Sequence, residues 1–471
     1  MNQTYRAAVA AWLDRHWEEI LTDIETLVRI PSVAVYNDPD TPFGNECRQA
    51  LETALLLAQK YGFETENYDN QCGSITLRPS DHEIGFWGHL DVVPAGNGWT
   101  LTAPFEPLRT DDYLFGRGSD DNKGPLVGVM HLLRAFEELR IPTRHGLRLY
   151  MGCDEEKGMH DAIWFAQNRK PADLNLIPDC GFPVCYGEKG ILTLSLVSDL
   201  PMTSIRALQG GKASNMVPDE AEIRLSGVCT EKDSGRVQRT VRDQCTCIHA
   251  HGVPAHSAYP QRGINAINLA MQDACDTGLL ASQDVRALHY LSEITQDYLG
   301  TRLGIAGEDA LSGITTCVGS MMHLDDRMRI WLHLNIRYSI TRDGKALIAE
   351  IESSAREQGF HLEEVQDSTP HYFPREAPIV DRLTHVYNEI TGENRQPYIM
   401  GGGTYARKLP NALGFGLGGM PRDEHLFEPG HGGAHQADEG LYLPNYRKAL
   451  EIFAMGILEA DAVWPVPEAG T

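Results

Sequence analysis

Leu13, Trp17, Ile20, Ile24, Leu27 and Val28 recur at helical spacing, and Pro31 with Ser32 ends the pattern, so the chain opens with a core-facing helix. Beyond it, apolar runs of strand length, Ser74 to Leu77, Ile84 to Val93, Leu147 to Gly152 and Leu174 to Ile177, alternate with helical segments. One such helix has Pro125 in its first turn and Leu126, Val129, Met130, Leu133 and Phe136 along its apolar face. Strand and helix in alternation predict an α/β layer. From about Ile191 the texture changes: Ile191 to Val197 reads as a strand, and Ile330 to Ile340 alternates strictly. There Ile330, Leu332, Leu334, Ile336 and Tyr338 face a core while His333, Asn335 and Arg337 are displayed on the other side. His371 to Pro378 reads as a loop, and helix-forming sequence resumes at Ile379. The pattern predicts an α/β domain interrupted by an inserted α+β domain, with a short tail rich in Pro, Ala and Gly after Trp464.

A chain of 471 residues exceeds one ordinary core, which fits this division. Its 41 Lys and Arg against 65 Asp and Glu give a formal charge of -24, which repels nucleic acid and anionic membranes and favours a small-molecule partner. The N-terminal stretch carries acidic residues where a signal peptide needs an apolar run, and there is no transmembrane run. The ten cysteines therefore read as reduced thiols, and the expected compartment is the cytoplasm.

Four acidic or histidine clusters fall where predicted strands end: GHLDVVP at Gly88 to Pro94, GRGSDDNKG at Gly116 to Gly124, CDEEKG at Cys153 to Gly158 and PDCGFPV at Pro178 to Val184. Open α/β sheets place their sites outside the carboxyl ends of strands. Singly these clusters say little; His323 and Asp325 form a second His-x-Asp, read as a loop histidine. Together they say more, because the adjacent carboxylates Asp154, Glu155 and Glu156 repel one another unless solvated or neutralised by cations. Oxygen ligands with a few imidazoles suit zinc or manganese, and a carboxylate can bridge two ions roughly 3.5 Å apart.

Taken with SNMVPDEAE, AHSAYPQRGINA, NIRY, GGGTYARKLPN and HQADE, in that order, the motifs resemble the co-catalytic metallopeptidases over almost the whole chain. That family includes aminoacylase, glutamate-releasing carboxypeptidase and succinyl-diaminopimelate desuccinylase, and the resemblance is closest to the PepV-type dipeptidases. It implies that His89 and Asp179 bind one divalent ion, that Glu156 and His435 bind a second, and that Asp121 bridges them. The ions would be zinc, with manganese or cobalt as alternatives. It makes Glu155 the general base toward a metal-activated water and has Asp91 accept a hydrogen bond from the other nitrogen of His89. It implies substrate contacts from Asn215 and His256, with His256 at the oxyanion, and from Arg337, Gly401, Gly402, Gly403 and Thr404 at the substrate's carboxylate. Residues 1–190 and 376–471 would form the catalytic domain and 191–375 a lid that restricts cleavage to dipeptides with a free amino end, in a form that works as a monomer.

Asn122 stands where the family often has Asp and is expected to be tolerated. Cys245, Cys247, His249 and His251 alternate temptingly, but residues two apart on a strand face one side without closing a tetrahedron. His425 and His431 rival His435, which HQADE favours. Three other functions fit parts of the pattern: an N-acyl amino acid amidohydrolase with the same chemistry, a metal-holding scaffold, and a thiol hydrolase using Cys153 or Cys180. Intact Glu155 speaks against the second, and the lack of an activating partner against the third.

Overall fold

The computed structural model describes residues 3–36, 38–418, 426–428 and 430–466. His425 and the end of the Pro, Ala and Gly tail, 467–471, lie outside the described residues. The chain divides into two compact units, 1–186 with 373–398 and 404–471, and 187–372 with 399–403.

The first unit is built on a mixed sheet, in agreement with the α/β pattern. Its order runs Glu64–Tyr68, Cys72–Leu77, Gly146–Gly152, Glu83–His89, Leu174–Ile177 and Ala412–Gly414, and the last four of these strands are parallel. Helices on both faces explain why Glu83–His89 reads as a continuous apolar run rather than an alternating one. Phe86 packs against Phe453 of the helix Leu443–Val463, while Trp87 stacks on Tyr150 and meets Phe165 and Tyr405 on the opposite face. The opening helix spans Gln3–Val28 and buries Trp12, Leu13, Ile20, Ile24, Leu27 and Val28; Trp17 is only half-buried. The helix expected from Pro125 runs Lys123–Glu138 and is almost wholly buried.

The second unit is an antiparallel nine-stranded sheet in the order Lys232–Asp233, Val237–Arg242, Cys245–His251, Glu220–Ser226, Ile205–Gly210, Thr316–Leu324, Ile330–Tyr338, Gly190–Ser198 and Phe360–Ser368. Helices Ala266–Asp276, Ser282–Gln296 and Gly344–Glu357 complete its core, which joins Leu332, Leu334 and Ile336 to Met271, Leu291 and Ile351. Asp343 caps the third helix by accepting from the Lys345 and Ala346 amides.

Several expectations need correction. The strand from Ile84 stops at His89, and the alternating one stops at Tyr338. His323 lies on a strand, its ring stacked on Trp331. Arg337 is not displayed: it is 6% exposed, laddered between Ile191 and Thr316, with its guanidinium bonded to Asn335 Oδ1 and Gly401 O. The loop after His371 begins with a two-residue strand that pairs with Gly187 and Glu188. Among the described residues no helix is long and apolar enough to cross a membrane.

Candidate functional site

Gly146–Gly152, Glu83–His89 and Leu174–Ile177 lie side by side and parallel, so their carboxyl ends open at one edge of the sheet. His89 ends the central strand, Cys153 to Glu156 follow the first, and Asp179 follows the third. The Leu90 amide makes the last bond to that neighbour, donating to Gly152 O at 2.9 Å, and Val92 N then turns to Ser32 O. This departure is why the strand ends at His89, and it carries Asp91 under the loop that bears Glu155.

Two imidazoles converge on one carboxylate. His89 Nε2 lies 3.0 Å from Asp121 Oδ1 and 3.4 Å from Asp179 Oδ2; His435 Nε2 lies 3.1 Å from Asp121 Oδ2 and 2.9 Å from Glu156 Oε1. Each oxygen of Asp121 thus faces a different histidine, with a second carboxylate beside each ring. Among the described residues, the groups able to hold a metal ion are His89 with Asp121 and Glu156, and His89 with Glu155 and Asp179. His89 is fully buried, whereas the His435 side chain is 43% exposed and marks the open side of the cluster. His435 also sits at φ 64°, a left-handed conformation uncommon for a non-glycine residue.

The nearer acceptor beside His89 Nδ1 is the main-chain oxygen of Asp91, and the Asp91 carboxylate is committed to two amides. Nδ1 of His89 is 2.9 Å from the main-chain oxygen of Asp91 and 3.5 Å from its Oδ1, while the Asp91 carboxylate accepts the amides of Glu155 at 3.1 Å and Glu156 at 3.0 Å. A neutral His89 that donates from Nδ1 leaves its Nε2 lone pair toward Asp121 and Asp179.

Two residues with parts in this arrangement lie in motifs whose roles the spacing did not reveal. Asn122, the departure from Asp, is fully buried and donates its amide to Asp179 Oδ1 at 2.9 Å. Glu439, four residues after His435, is fully buried against Arg117 and accepts the amides of Gly118, Asp120 and Asp121 at 2.9, 3.1 and 3.2 Å. It therefore fixes the loop that presents Asp121. His431 is bonded to Asp438 at 2.8 Å and, among the described residues, pairs with none of the carboxylates around Asp121.

The electrostatics agree with a cation-seeking cluster. Burial pushes the Glu155 carboxyl well above its ordinary range, lifts Glu156 to about 7 with help from Asp121, and raises Asp179. Burial would lower the pKa of both histidines. The carboxylates outweigh it, holding His435 up at about 11 and His89 well above its usual value, and the two imidazoles in turn pull Asp121 down. Divalent cations would satisfy the same oxygens and nitrogens with more charge than protons bring. Among the described residues Glu155 Oε1 is buried without a hydrogen-bond partner, so one carboxylate oxygen beside the cluster is uncommitted there. The donor set fits divalent metal ions.

The remaining expected residues lie mostly in the second unit. The Ser257 amide donates to Asn215 O and Met216 pairs with His256, which is exposed. Thr316, Arg337's ladder partner, donates its hydroxyl to Ser257 O. Gly401 packs so close to Ala258 that a Cβ there would lie 2.8 Å from the alanine methyl. Asn215, His256, Arg337 and Gly401 therefore belong to one neighbourhood, with Gly402 and Gly403 following Gly401. Thr404 belongs to the first unit, where its hydroxyl accepts the Ala406 amide. Among the described residues, Cys245, Cys247, His249 and His251 take part in no group able to hold a metal.

The pattern that defines peptidase family M20/M25/M40 matches residues 85–459. The Bacillus subtilis (strain 168) protein named "Putative dipeptidase YtjP" is 30% identical over 94% of this chain and 98% of its own length. A similarly named Staphylococcus haemolyticus (strain JCSC1435) protein is 28% identical over 93% and 96%. The fold is like that of human carnosine dipeptidase 1 (TM-score 0.58, 15% identity, 97% of this chain and 100% of that one) and of the di-peptidase Dug1p from Saccharomyces cerevisiae (TM-score 0.59, 15% identity, 98% and 99%).

Proposed function

The chain belongs to peptidase family M20/M25/M40 and is a metallopeptidase that uses divalent metal, and from that premise we propose that it hydrolyses dipeptides with a free N-terminus. The observation behind the chemistry is that His89 and His435 meet the two oxygens of Asp121 while the buried Glu155 Oε1 beside them has no partner among the described residues. The names of the Bacillus and Staphylococcus relatives support a dipeptide as substrate.

In this reading His89 with Asp179 would hold one ion and His435 with Glu156 a second, zinc in preference to manganese or cobalt, with Asp121 contributing to both. When bound, the ions supply Lewis acidity that polarises the scissile carbonyl and acidifies water. Glu155 takes the proton of the attacking water and delivers it to the leaving nitrogen, and burial, which raises its carboxyl pKa, suits it to hold that proton in between. Asp91 orients His89 through its main-chain oxygen and Glu155 through its carboxylate. Asn215, His256, Arg337, Gly402, Gly403 and Thr404 are the proposed substrate-binding set, with the second unit acting as a lid. The planar fork of Arg337 suits a terminal carboxylate. The working unit is proposed to be a monomer in the cytoplasm, which gel filtration and cell fractionation test.

The experiment is hydrolysis of Ala-Ala, Leu-Leu, β-Ala-His, a tripeptide and an N-acetyl amino acid after metal removal and again after zinc or manganese is restored. Metal-dependent cleavage confined to dipeptides is expected. Preference for the acetylated substrate would replace the dipeptidase with an N-acyl amino acid amidohydrolase.

A further inference from the structure

One buried carboxylate close to the site has no part in the chemistry above. Asp161, in the first turn of the helix His160–Asn168, is fully buried. Its Oδ2 accepts the Cys153 amide at 2.6 Å, the Asp154 amide at 3.0 Å and the Tyr405 hydroxyl at 2.5 Å, while Oδ1 accepts the Ala162 amide. The next two amides of the chain, those of Glu155 and Glu156, go to the two oxygens of Asp91. Four successive N–H groups, from Cys153 to Glu156, are thus all received by two carboxylates.

This is an unusual way to hold a strand end. Amides leaving a parallel ladder lose their partners there, and water or a following helix commonly replaces them. Here carboxylate oxygens replace them, and when the acceptor is ionised such bonds are shorter and stronger than neutral ones. The geometry leaves no slack behind the loop. Gly152 lies so close to the Tyr405 hydroxyl and the Asp161 carboxylate that no side chain fits at that position. Tyr405 is fully buried beside Trp87, on the strand that ends in His89.

We infer that Asp161 is a positioning residue for the general base: with Asp91 it clamps the Cys153–Glu156 backbone, and Tyr405 braces it, so that Glu155 is aimed without Asp161 touching substrate or metal. The inference rests on Glu155 being the base. A clamp of this kind acts on kcat, because misplacing a catalytic group by about 1 Å costs on the order of a hundredfold in rate.

The test uses the full-length protein loaded with zinc and Ala-Ala as substrate. Asp161→Asn and the milder Tyr405→Phe, which removes one hydroxyl and serves if Asp161→Asn does not fold, are each made alone and in a Glu155→Gln background. Kinetics and zinc per chain are measured for every variant. The expected result is that each single variant lowers kcat, by roughly tenfold for Tyr405→Phe and on the order of a hundredfold for Asp161→Asn. KM and zinc content should stay near those of the parent, and neither substitution should reduce further the residual rate of Glu155→Gln. An unchanged kcat, zinc loss in step with activity, or the same fold-loss in both backgrounds would overturn the clamp. Full turnover by Glu155→Gln alone would instead remove the base assignment on which it rests.

Discussion

His89 and Asp91 leave the end of a strand in a parallel array, whereas Cys245, Cys247, His249 and His251 run along an antiparallel strand of the second unit. Both segments carry residue types that bind metals. On the antiparallel strand these four share one face at a spacing of about 7 Å, while Thr246, Ile248 and Ala250 turn to the core, so the side chains form a row. Their neighbours across the ladder, such as Glu222 and Gln238 beside His249, are equally spread out. At the parallel edge, loops from three strands start together, and two further segments bring Asp121 and His435 to the same point. Convergence of chain ends makes the cluster, and residue type alone does not.

The largest break of that contrast should come from the converging side. Glu155→Gln is expected to lower kcat by about two to four orders of magnitude with metal still bound, read from steady-state kinetics together with metal analysis of the same sample. If metal leaves with it, Glu155 is a ligand and not the base. Next, His435→Ala and Glu156→Gln should each weaken metal binding by at least about tenfold, with turnover partly recovered in excess zinc, followed by titration of the apoprotein. Asn122→Ala should weaken metal binding by roughly ten- to a hundredfold, because it frees Asp179 without removing a ligand. At the small end, Cys245→Ser with His249→Gln should leave turnover and bound metal within about twofold of the parent, since they change half-buried side chains that belong to no metal-holding group among the described residues. Metal loss in that last variant would mean that the row binds an ion after all.

The sequence pattern made the parallel strands legible because helices on both faces demand unbroken apolar runs, and it made the metal candidates legible because their motifs are compact and ordered. Other features depend on partners that spacing cannot reveal. Glu439 reaches the Asp121 amide across 318 positions, and nothing local distinguishes it from a surface acid. In the sequence Asn122 reads as a tolerated substitution, and its amide donates to Asp179, a partner 57 positions away that spacing does not reveal. Arg337 obeys the strand alternation, yet the face it points to is covered, because Gly401 from a distant segment folds against it. The segment 399–403 belongs with the second unit through the bond from Lys189 N to Met400 O, a connection no composition shift announces.

The most direct measurement is a zinc titration of the chelated protein, with turnover of Ala-Ala followed alongside bound metal. Two ions per chain, with full activity only as the second is bound and little binding or turnover in His89→Ala, is the predicted result. Undiminished hydrolysis in the chelated protein, or two ions still bound tightly by His89→Ala, would contradict the account.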